Sequence, residues 1–100
     1  MLLEFVREKA TAKSTMEELA AAAERPYDRL SREFKRDFGR TLKEFLAAEL
    51  CRRAETLLRR DGLSVKETAA ELEFGNEFYF SRFFRRHTGM SPRDCRSSRF

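Results

Sequence analysis

The chain has 100 residues, of which 41% are hydrophobic and 38% are charged, and its net charge is +4. This length and apolar content indicate one small folded domain and exclude a disordered chain. No apolar run approaches the roughly 20 residues of a membrane helix and no signal-peptide pattern opens the chain, so we expect a cytoplasmic protein without a membrane partner.

Apolar spacing in the first half of the chain predicts helices at residues 2–12, 15–23 and 26–38. Thr15 and Glu18 form a capping box at the start of the second helix, in which the hydroxyl and the carboxylate each accept a hydrogen bond from an unpaired backbone N–H. No alternating strand pattern interrupts these segments. The first half therefore indicates an all-α fold.

The second half continues the helical pattern, with predicted helices at residues 41–60, 64–72, 76–88 and 91–96. The helix at 41–60 is the longest and would span roughly 30 Å. We therefore predict an all-α fold of seven helices, in which the longest helix separates three helices from three others.

A repeat relates the two halves. The ten residues from Leu30 to Gly39 match those from Phe80 to Gly89, with six of ten columns identical or conservatively replaced. Upstream of each copy the offset falls from 50 to 49, so the second copy has one more residue in its turn. Each copy is a short alanine-rich helix, a tight turn and a longer basic helix, which is the pattern of a helix-turn-helix motif. An ordinary packed helical hairpin would give the same pattern in a single copy.

This duplication predicts the domain organisation. We expect one domain over residues 1–100, with a helix-turn-helix subdomain at about 2–40, a linker helix at about 41–60 and a second subdomain at about 61–100. The two basic helices, which we call the recognition helices, then lie at opposite ends of the linker. A separation of roughly 30 Å is of the order of the about 34 Å between successive major-groove segments on one face of B-DNA.

The recognition helices have an apolar face and a basic face. The residues predicted to line the core are Tyr27, Leu30, Phe34, Phe38, Phe80, Phe83 and Phe84. The opposite face of the second helix carries Phe78 and Tyr79 among arginines. Two interpretations of these rings remain open: packing against a neighbouring segment of the chain, or contact with a partner such as a thymine methyl group.

Positive charge is concentrated in residues 76–100, which carry six arginines and two acids. Such clustering suits a polyanion. Arg32 and Arg82 occupy matching columns of the repeat and are the first candidates for reaching bases. Candidate phosphate contacts, which position a protein without reading sequence, are Lys35, Arg36, Arg40, Arg85, Arg86, Ser91 and Arg93.

The segment from Met16 to Arg96 resembles the DNA-binding domain of the AraC/XylS family of bacterial transcription regulators. Its most specific part begins at Phe74 and contains the aromatic, Ser-Arg, Phe-Arg, Gly and Ser-Pro positions of the family's second motif. The run from Ala54 to Leu58 fits the family's linker helix. The resemblance covers about four fifths of the chain.

This resemblance implies gene regulation by sequence-specific binding to double-stranded DNA in a nucleoid-associated protein. By position, the base-contact candidates on the recognition helices are Asp28, Arg29, Ser31, Arg32, Glu77, Phe78, Tyr79 and Arg82. RNA polymerase is a second candidate partner. We expect a separate effector-binding or dimerisation domain to be absent from this chain, and the isolated domain to be monomeric.

Four residues depart from the family pattern. Glu73 stands where glycine is usual, and we expect Gly75 to take the left-handed conformation in its place. Thr68 replaces an aliphatic residue, Leu50 an arginine and Cys95 a tyrosine. The changes at Glu73 and Cys95 are expected to loosen the second subdomain.

A second class of function stays open: a protein-interaction module, or a degenerate relative, whose basic faces bind polymerase or another regulator. An enzyme is not expected and neither is a cofactor, because His87 is the only histidine and no paired-carboxylate, Cys/His or phosphate-loop pattern occurs. Cys51 and Cys95 are predicted to be small buried hydrophobic residues in a reducing compartment. Both a piece of a longer regulator and a stand-alone small regulator fit the sequence.

Overall fold

The computed structural model describes residues 2–98, and these residues form helices joined by turns. The seven α-helices are α1 Leu2–Glu8, α2 Met16–Ala23, α3 Tyr27–Phe38, α4 Leu42–Glu55, α5 Val65–Glu71, α6 Glu77–Thr88 and α7 Pro92–Ser97. The predicted all-α fold is therefore confirmed, and α3 and α6 are the recognition helices.

Capping boxes open three of the helices, and they pair Thr15 with Glu18, Thr41 with Glu44 and Ser64 with Glu67. In each box the glutamate N–H donates to the hydroxyl oxygen at 3.0–3.1 Å. The N–H of the cap residue donates back to the carboxylate, and this bond lowers the pKa of Glu44 and Glu67 below the usual 4.5. The capping box predicted for Thr15 and Glu18 is thus present, and two further helices begin in the same way.

The first helix is shorter than predicted, because α1 ends at Glu8 and not at residue 12. Beyond it the N–H of Ala10 donates to the carbonyl of Phe5, five residues back, at 2.9 Å. The N–H of Ala12 donates to the carbonyl of Leu72 at 2.9 Å, far along the chain. This tertiary bond takes the connection away from the helical path.

The linker is not α-helical over its whole predicted length. α4 is followed directly by a π-helical segment, Thr56–Arg60, in which the N–H of Asp61 donates to the carbonyl of Thr56 at 3.1 Å. In this wider turn Leu58 is buried, and Nε of Arg59 donates to the carbonyl of Cys95 in α7 at 3.3 Å. The π-helical segment thus joins the linker to the second subdomain.

One core runs through the described residues, and α4 contributes many of its side chains. The buried residues of α4 are Leu42, Phe45, Leu46, Ala47, Leu50, Cys51 and Ala54. α3 packs Leu30 and Phe34 into this core, and α6 packs Phe80 and Phe84 into it. Burial of these large side chains is the main stabilising contribution to so small a domain.

Two predicted core residues of α3 are exposed, Tyr27 by 42% and Phe38 by 64%. They are the first and last residues of the helix, where neighbouring helices do not cover them. The Phe38 ring lies against Phe34 on its own helix, with the two ring centroids 4.6 Å apart. On α6, Phe83 is partly buried against the core. Helical spacing identified the apolar face of α3 correctly, but it did not show that neighbouring helices leave the two ends of this face exposed.

Three of the departures from the family pattern lie in the core. Leu50 and Cys95 are buried. Thr68 is fully buried as well, and its hydroxyl donates to the carbonyl of Ser64 at 2.9 Å, so the polar atom has a partner. A buried hydroxyl with such a bond avoids the cost of an unsatisfied donor.

Both helix-turn-helix turns contain a left-handed glutamate, Glu24 at φ 57° and Glu73 at φ 60°. The 49-residue offset of the repeat relates them. The expectation that Gly75 takes this conformation is wrong, since Glu73 adopts it directly. The reason is that the N–H of Phe74 donates to the carbonyl of Ala69 at 2.9 Å, which closes the end of α5 before Gly75 is reached.

Replacing Glu24 by glycine is expected to raise the free energy of unfolding by about 0.5–1 kcal/mol. A side chain in the left-handed region costs roughly 1–2 kcal/mol, and the greater freedom of glycine in the unfolded chain offsets part of the gain. Urea denaturation followed by circular dichroism measures the change. Glu24→Ala is the matched control, since alanine keeps the Cβ; an equal gain from alanine would contradict the strain at this position.

Cys51 and Cys95 are free and buried, as predicted. Burial raises the pKa of Cys51 to about 11 and also raises the pKa of Cys95. Because the thiolate is the reactive form, we expect neither residue to react with an aromatic disulfide reagent at mildly alkaline pH while the domain is folded. Both should react in guanidinium chloride, and rapid reaction of the folded protein would contradict the buried placement.

Candidate nucleic-acid interface

The two recognition helices have the same pattern of exposure along their length. The buried residues Leu30 and Phe34 of α3 match Phe80 and Phe84 of α6, at the 50-residue offset of the repeat. Each helix ends at a left-handed glycine followed by a capped helix. The repeat in sequence is therefore a repeat in structure, and it places Arg32 and Arg82, both exposed, at equivalent points of the two helices.

On α3 the predicted base-contact residues differ in accessibility. Asp28, Arg29 and Arg32 are exposed, whereas Ser31 is half-buried. Nε of Arg29 lies 3.6 Å from Oε2 of Glu33, one turn further along the helix. Arg32 has no ion-pair partner among residues 2–98, so its guanidinium is available to a ligand.

Neighbouring side chains partly neutralise the positive charge of the first subdomain. Nη1 of Arg25 donates to Oε1 of Glu33 at 3.1 Å, and Nε of Arg36 donates to Oδ1 of Asp37 at 3.0 Å. This bond and the charge of Arg36 hold the pKa of Asp37 below its usual value. Lys35 is exposed and has no ion-pair partner within the described part of the chain.

α6 presents two large aromatic side chains to solvent, Phe78 with 69% and Tyr79 with 48% exposure. Within residues 2–98 nothing covers Phe78, so packing against a neighbouring segment does not explain it. The Tyr79 ring lies against Phe74, with centroids 5.6 Å apart, while Glu77 is half-buried. The side chain of Asn76 caps the helix by accepting from the N–H of Tyr79 at 2.8 Å.

The basic residues of α6 are free of local neutralisation. Arg82, Arg85 and Arg86 are exposed, and over the described residues none of them forms an ion pair. Their helix therefore carries three available guanidinium groups, whereas two of the arginines on α3 are paired with acids. Within residues 2–98, the second recognition helix therefore offers more unpaired arginines than the first.

The turns after the recognition helices hold the remaining candidates. Arg40 stacks its guanidinium over the ring of Phe45, 5.4 Å from the centroid. Ser91 caps α7 by accepting from the N–H of Asp94 at 3.1 Å. Arg93 is exposed in the first turn of α7. These residues follow the C-terminal ends of α3 and α6. In the repeat Ser91 matches Thr41 and Arg93 matches Lys43, whereas Arg40 matches Met90.

Three other arginines bind backbone carbonyls and so contribute to the fold. Arg53 donates to the carbonyl of Ala10, and Arg59 to that of Cys95. Arg96 donates to the carbonyls of Leu63, at 2.9 Å from Nε, and Gly62, at 3.1 Å from Nη2. Each of these guanidinium groups keeps its charge, but part of its hydrogen-bonding capacity is used within the fold.

Sequence reasoning missed three residues that shape this surface. Asn76 precedes Tyr79 by three residues, a spacing that identifies an N-cap. Glu33 follows Arg29 by four residues, a spacing that predicts an ion pair on a helix. Ser81 is half-buried and matches Ser31 in the repeat.

The surface consists of two convex helix faces, and within the described residues no cluster of histidine, cysteine or acidic side chains could hold a metal ion. Over the same residues no helix has the length and apolar character needed to cross a membrane. The arrangement suits the binding of an extended anionic partner along both helices.

Comparison with known proteins agrees with this geometry. A family model described as a helix-turn-helix domain matches residues 19–98. The transcriptional activator RhaS of Klebsiella pneumoniae (strain 342) is 33% identical over 98% of this chain and 35% of its own length. RhaR of Cronobacter sakazakii is 38% identical over 71% of this chain and 24% of its own length. The chain thus spans about a third or less of these curated relatives.

Solved structures give the same result for the fold. The C-terminal domain of AraT, a response regulator from Geobacillus stearothermophilus, superposes with a TM-score of 0.86 at 24% identity, over 99% of this chain and 83% of that one. The DNA-binding domain of the transcriptional factor AdpA, solved with a target DNA, has a TM-score of 0.83 at 26% identity, over 96% of this chain and 86% of that one. The chain belongs to the helix-turn-helix domain family, as an AraC-type DNA-binding domain.

Proposed function

We propose that this protein binds double-stranded DNA in a sequence-specific manner and regulates transcription, with α3 and α6 in successive major-groove segments. The observation that carries the proposal is the pair of exposed arginines, Arg32 and Arg82, at equivalent points of α3 and α6. RhaS and RhaR are named as transcriptional activators, and the AdpA domain was solved with a target DNA. Those names support the proposal by similarity.

Base reading falls to the first turn and the centre of each recognition helix. Arg32 and Arg82 can each fork onto O6 and N7 of a guanine, and Phe78 can contact the methyl group of a thymine. Asp28 can accept from N4 of a cytosine. Ser31 and Glu77 are half-buried. They therefore contribute more by positioning neighbouring side chains than by touching bases directly.

Phosphate contacts flank these positions and set the register without reading sequence. On the second helix they fall to Arg85 and Arg86, whose guanidinium groups are unpaired within residues 2–98. On the first helix Lys35 takes the same part, and Arg36 must exchange its bond with Asp37 for one with a phosphate. A larger electrostatic share of the binding energy therefore comes from the second subdomain.

Dimensions are consistent with one protomer reading two grooves. The longest extent of the domain is 41 Å, and successive major-groove segments on one face of B-DNA are about 34 Å apart. Because both helices belong to one small domain, we expect some bending of the duplex when both enter it. The two half-sites should differ, because α3 offers Asp28 and Arg29 where α6 offers Phe78 and Tyr79.

Partners and context follow from the same function. We infer that the isolated domain acts as a monomer in the cytoplasm, bound to the nucleoid, and that RNA polymerase is a second partner at the promoter. No catalytic step is part of this function.

A duplex-binding titration at several salt concentrations tests the proposal, with specific and scrambled competitor DNA. We expect the logarithm of the binding constant to fall by about 0.9 per phosphate contact for each tenfold rise in salt, and the specific duplex to bind far more tightly than the scrambled one. A flat salt dependence without binding would favour a protein-interaction module.

A further inference from the structure

The connection between α1 and α2 reaches across to the second helix-turn-helix motif. Thr11 Oγ1 donates to Oε1 of Glu73 at 2.6 Å, and the N–H of Ala12 donates to the carbonyl of Leu72 at 2.9 Å. Both acceptors lie in the turn between α5 and α6, more than 50 residues further along the chain. We propose that this connection, residues 10–14, holds that turn and so fixes the orientation of α6, with Thr11 as a positioning residue for DNA recognition.

The connection is itself anchored at both of its ends. Ala10 is fully buried, and its carbonyl accepts a hydrogen bond from Arg53 of α4. The N–H of Ser14 donates to the carbonyl of Thr11 at 3.0 Å, and the N–H of Thr11 donates to Oγ of Ser14 at 2.9 Å. A segment fixed in this way can hold another element in place, because its own ordering does not depend on the contact with Glu73.

The turn that it contacts needs external support. Glu73 has a left-handed backbone at φ 60°, a conformation that a side-chain-bearing residue adopts only at a cost and that persists where its surroundings enforce it. Its carboxylate is the group that accepts from Thr11. The glutamate therefore both strains the turn and supplies the atom by which the first subdomain restrains it.

Movement of this turn would move the recognition helix. Phe74, the next residue, is buried, and its ring centroid lies 5.1 Å from Phe80 and 5.0 Å from Phe83, both on α6. It also contacts the exposed Tyr79 at 5.6 Å. A loosened turn would let α6 sample several orientations, and the fraction of molecules competent to bind would fall.

Thr11→Val tests the proposal, because valine keeps the branched shape and removes the hydroxyl. Thr11→Ser is the conservative rescue: it keeps the donor to Glu73 and also the acceptor for the N–H of Lys13, which lies at 3.2 Å. Thr56→Val is a control, since the Thr56 hydroxyl donates only to Arg52 within the linker.

Two readouts are measured on each variant. The first is the ratio of affinities for a duplex selected by the wild-type protein and for the same duplex with one half-site scrambled. The second is hydrogen exchange at the amides of Glu73 and Phe74, which reports local opening of the turn. Thermal unfolding of each variant shows that the domain remains folded.

We expect Thr11→Val to lower the affinity ratio about twofold to tenfold at the half-site read by α6, the factor that one lost hydrogen bond gives. The ratio at the other half-site should not change. Exchange at Glu73 and Phe74 should accelerate, and Thr11→Ser should restore both readouts while Thr56→Val leaves them at wild-type values. An unchanged ratio at the α6 half-site, or an equal loss at both half-sites, overturns the proposal.

The proposal rests on DNA binding for its first readout only. If the wild-type protein selects no DNA, the proposed function fails. The hydrogen-exchange measurement then tests separately whether the bond between Thr11 and Glu73 holds the turn. Exchange in Thr11→Val at the wild-type rate would then overturn it.

Discussion

Phe80→Ala is expected to lower the free energy of unfolding by about 3–5 kcal/mol. Phe80 is only 1% exposed, and its ring packs against Phe74 and Phe84 at centroid distances of 5.1 and 5.8 Å. Its removal leaves a cavity at the junction of α5, α6 and the core. Because a domain of this kind is stable by about 5–15 kcal/mol, the loss is a large part of the total. Urea denaturation followed by circular dichroism measures it.

Phe78→Ala is the matched control, since it removes the same side chain two residues earlier on the same helix. Phe78 is exposed, so the free energy of unfolding should change by less than about 0.5 kcal/mol. The substitution should instead weaken DNA binding, by roughly 1 kcal/mol at a site that contains the contacted thymine. Equal destabilisation by the two substitutions would contradict the assignment of the buried and exposed faces of α6.

Arg82→Ala is expected to cost about 1–3 kcal/mol of discrimination at one base pair and to relax specificity there. Arg82 is exposed near the centre of α6 and forms no ion pair within residues 2–98, so its guanidinium can meet a base edge without breaking an existing contact. Titrations against duplexes that vary one base pair at a time measure the effect.

Arg85→Ala and Arg86→Ala are the controls for this prediction. As phosphate contacts they should weaken binding to all duplexes alike and reduce the salt slope by about 1 each. Equal, sequence-independent losses from all three substitutions would show that Arg82 does not read bases.

Local signals predicted most of the fold. The capping boxes at Thr15, Thr41 and Ser64 depend on residues three positions apart, so the sequence alone contains them. The repeat predicted the equivalence of α3 and α6, because matching side chains at matching spacing bury the same face. The additional residue in the second turn was visible as the change of offset.

The wrong predictions concern features that tertiary contacts determine. Helical spacing placed Tyr27 and Phe38 on the apolar face of α3, but whether that face is covered depends on the lengths of neighbouring helices. The left-handed conformation fell on Glu73 and not on Gly75, because a bond at the end of α5 fixes the turn. The contact between Thr11 and Glu73 joins residues 62 positions apart, and no local pattern predicts it.

The residues of the candidate site could be predicted from the sequence. Which of their side chains are free to bind a ligand could not. Arg29 and Arg36 are paired with acids, whereas Arg82 and Arg85 form no ion pair over residues 2–98. Spacing on a helix could have indicated the pairing of Arg29. The exposure of Phe78 required the structure, because the sequence left both packing and partner contact open.

Selection of bound duplexes from a random DNA pool, followed by measurement of the protein-to-duplex ratio, tests the central claim most directly. The account predicts a single non-palindromic site with two unlike half-sites, separated by about 10 base pairs centre to centre, bound by one protomer. A palindromic site bound by two protomers, or a single half-site, would contradict the claim that α3 and α6 of one chain read DNA together.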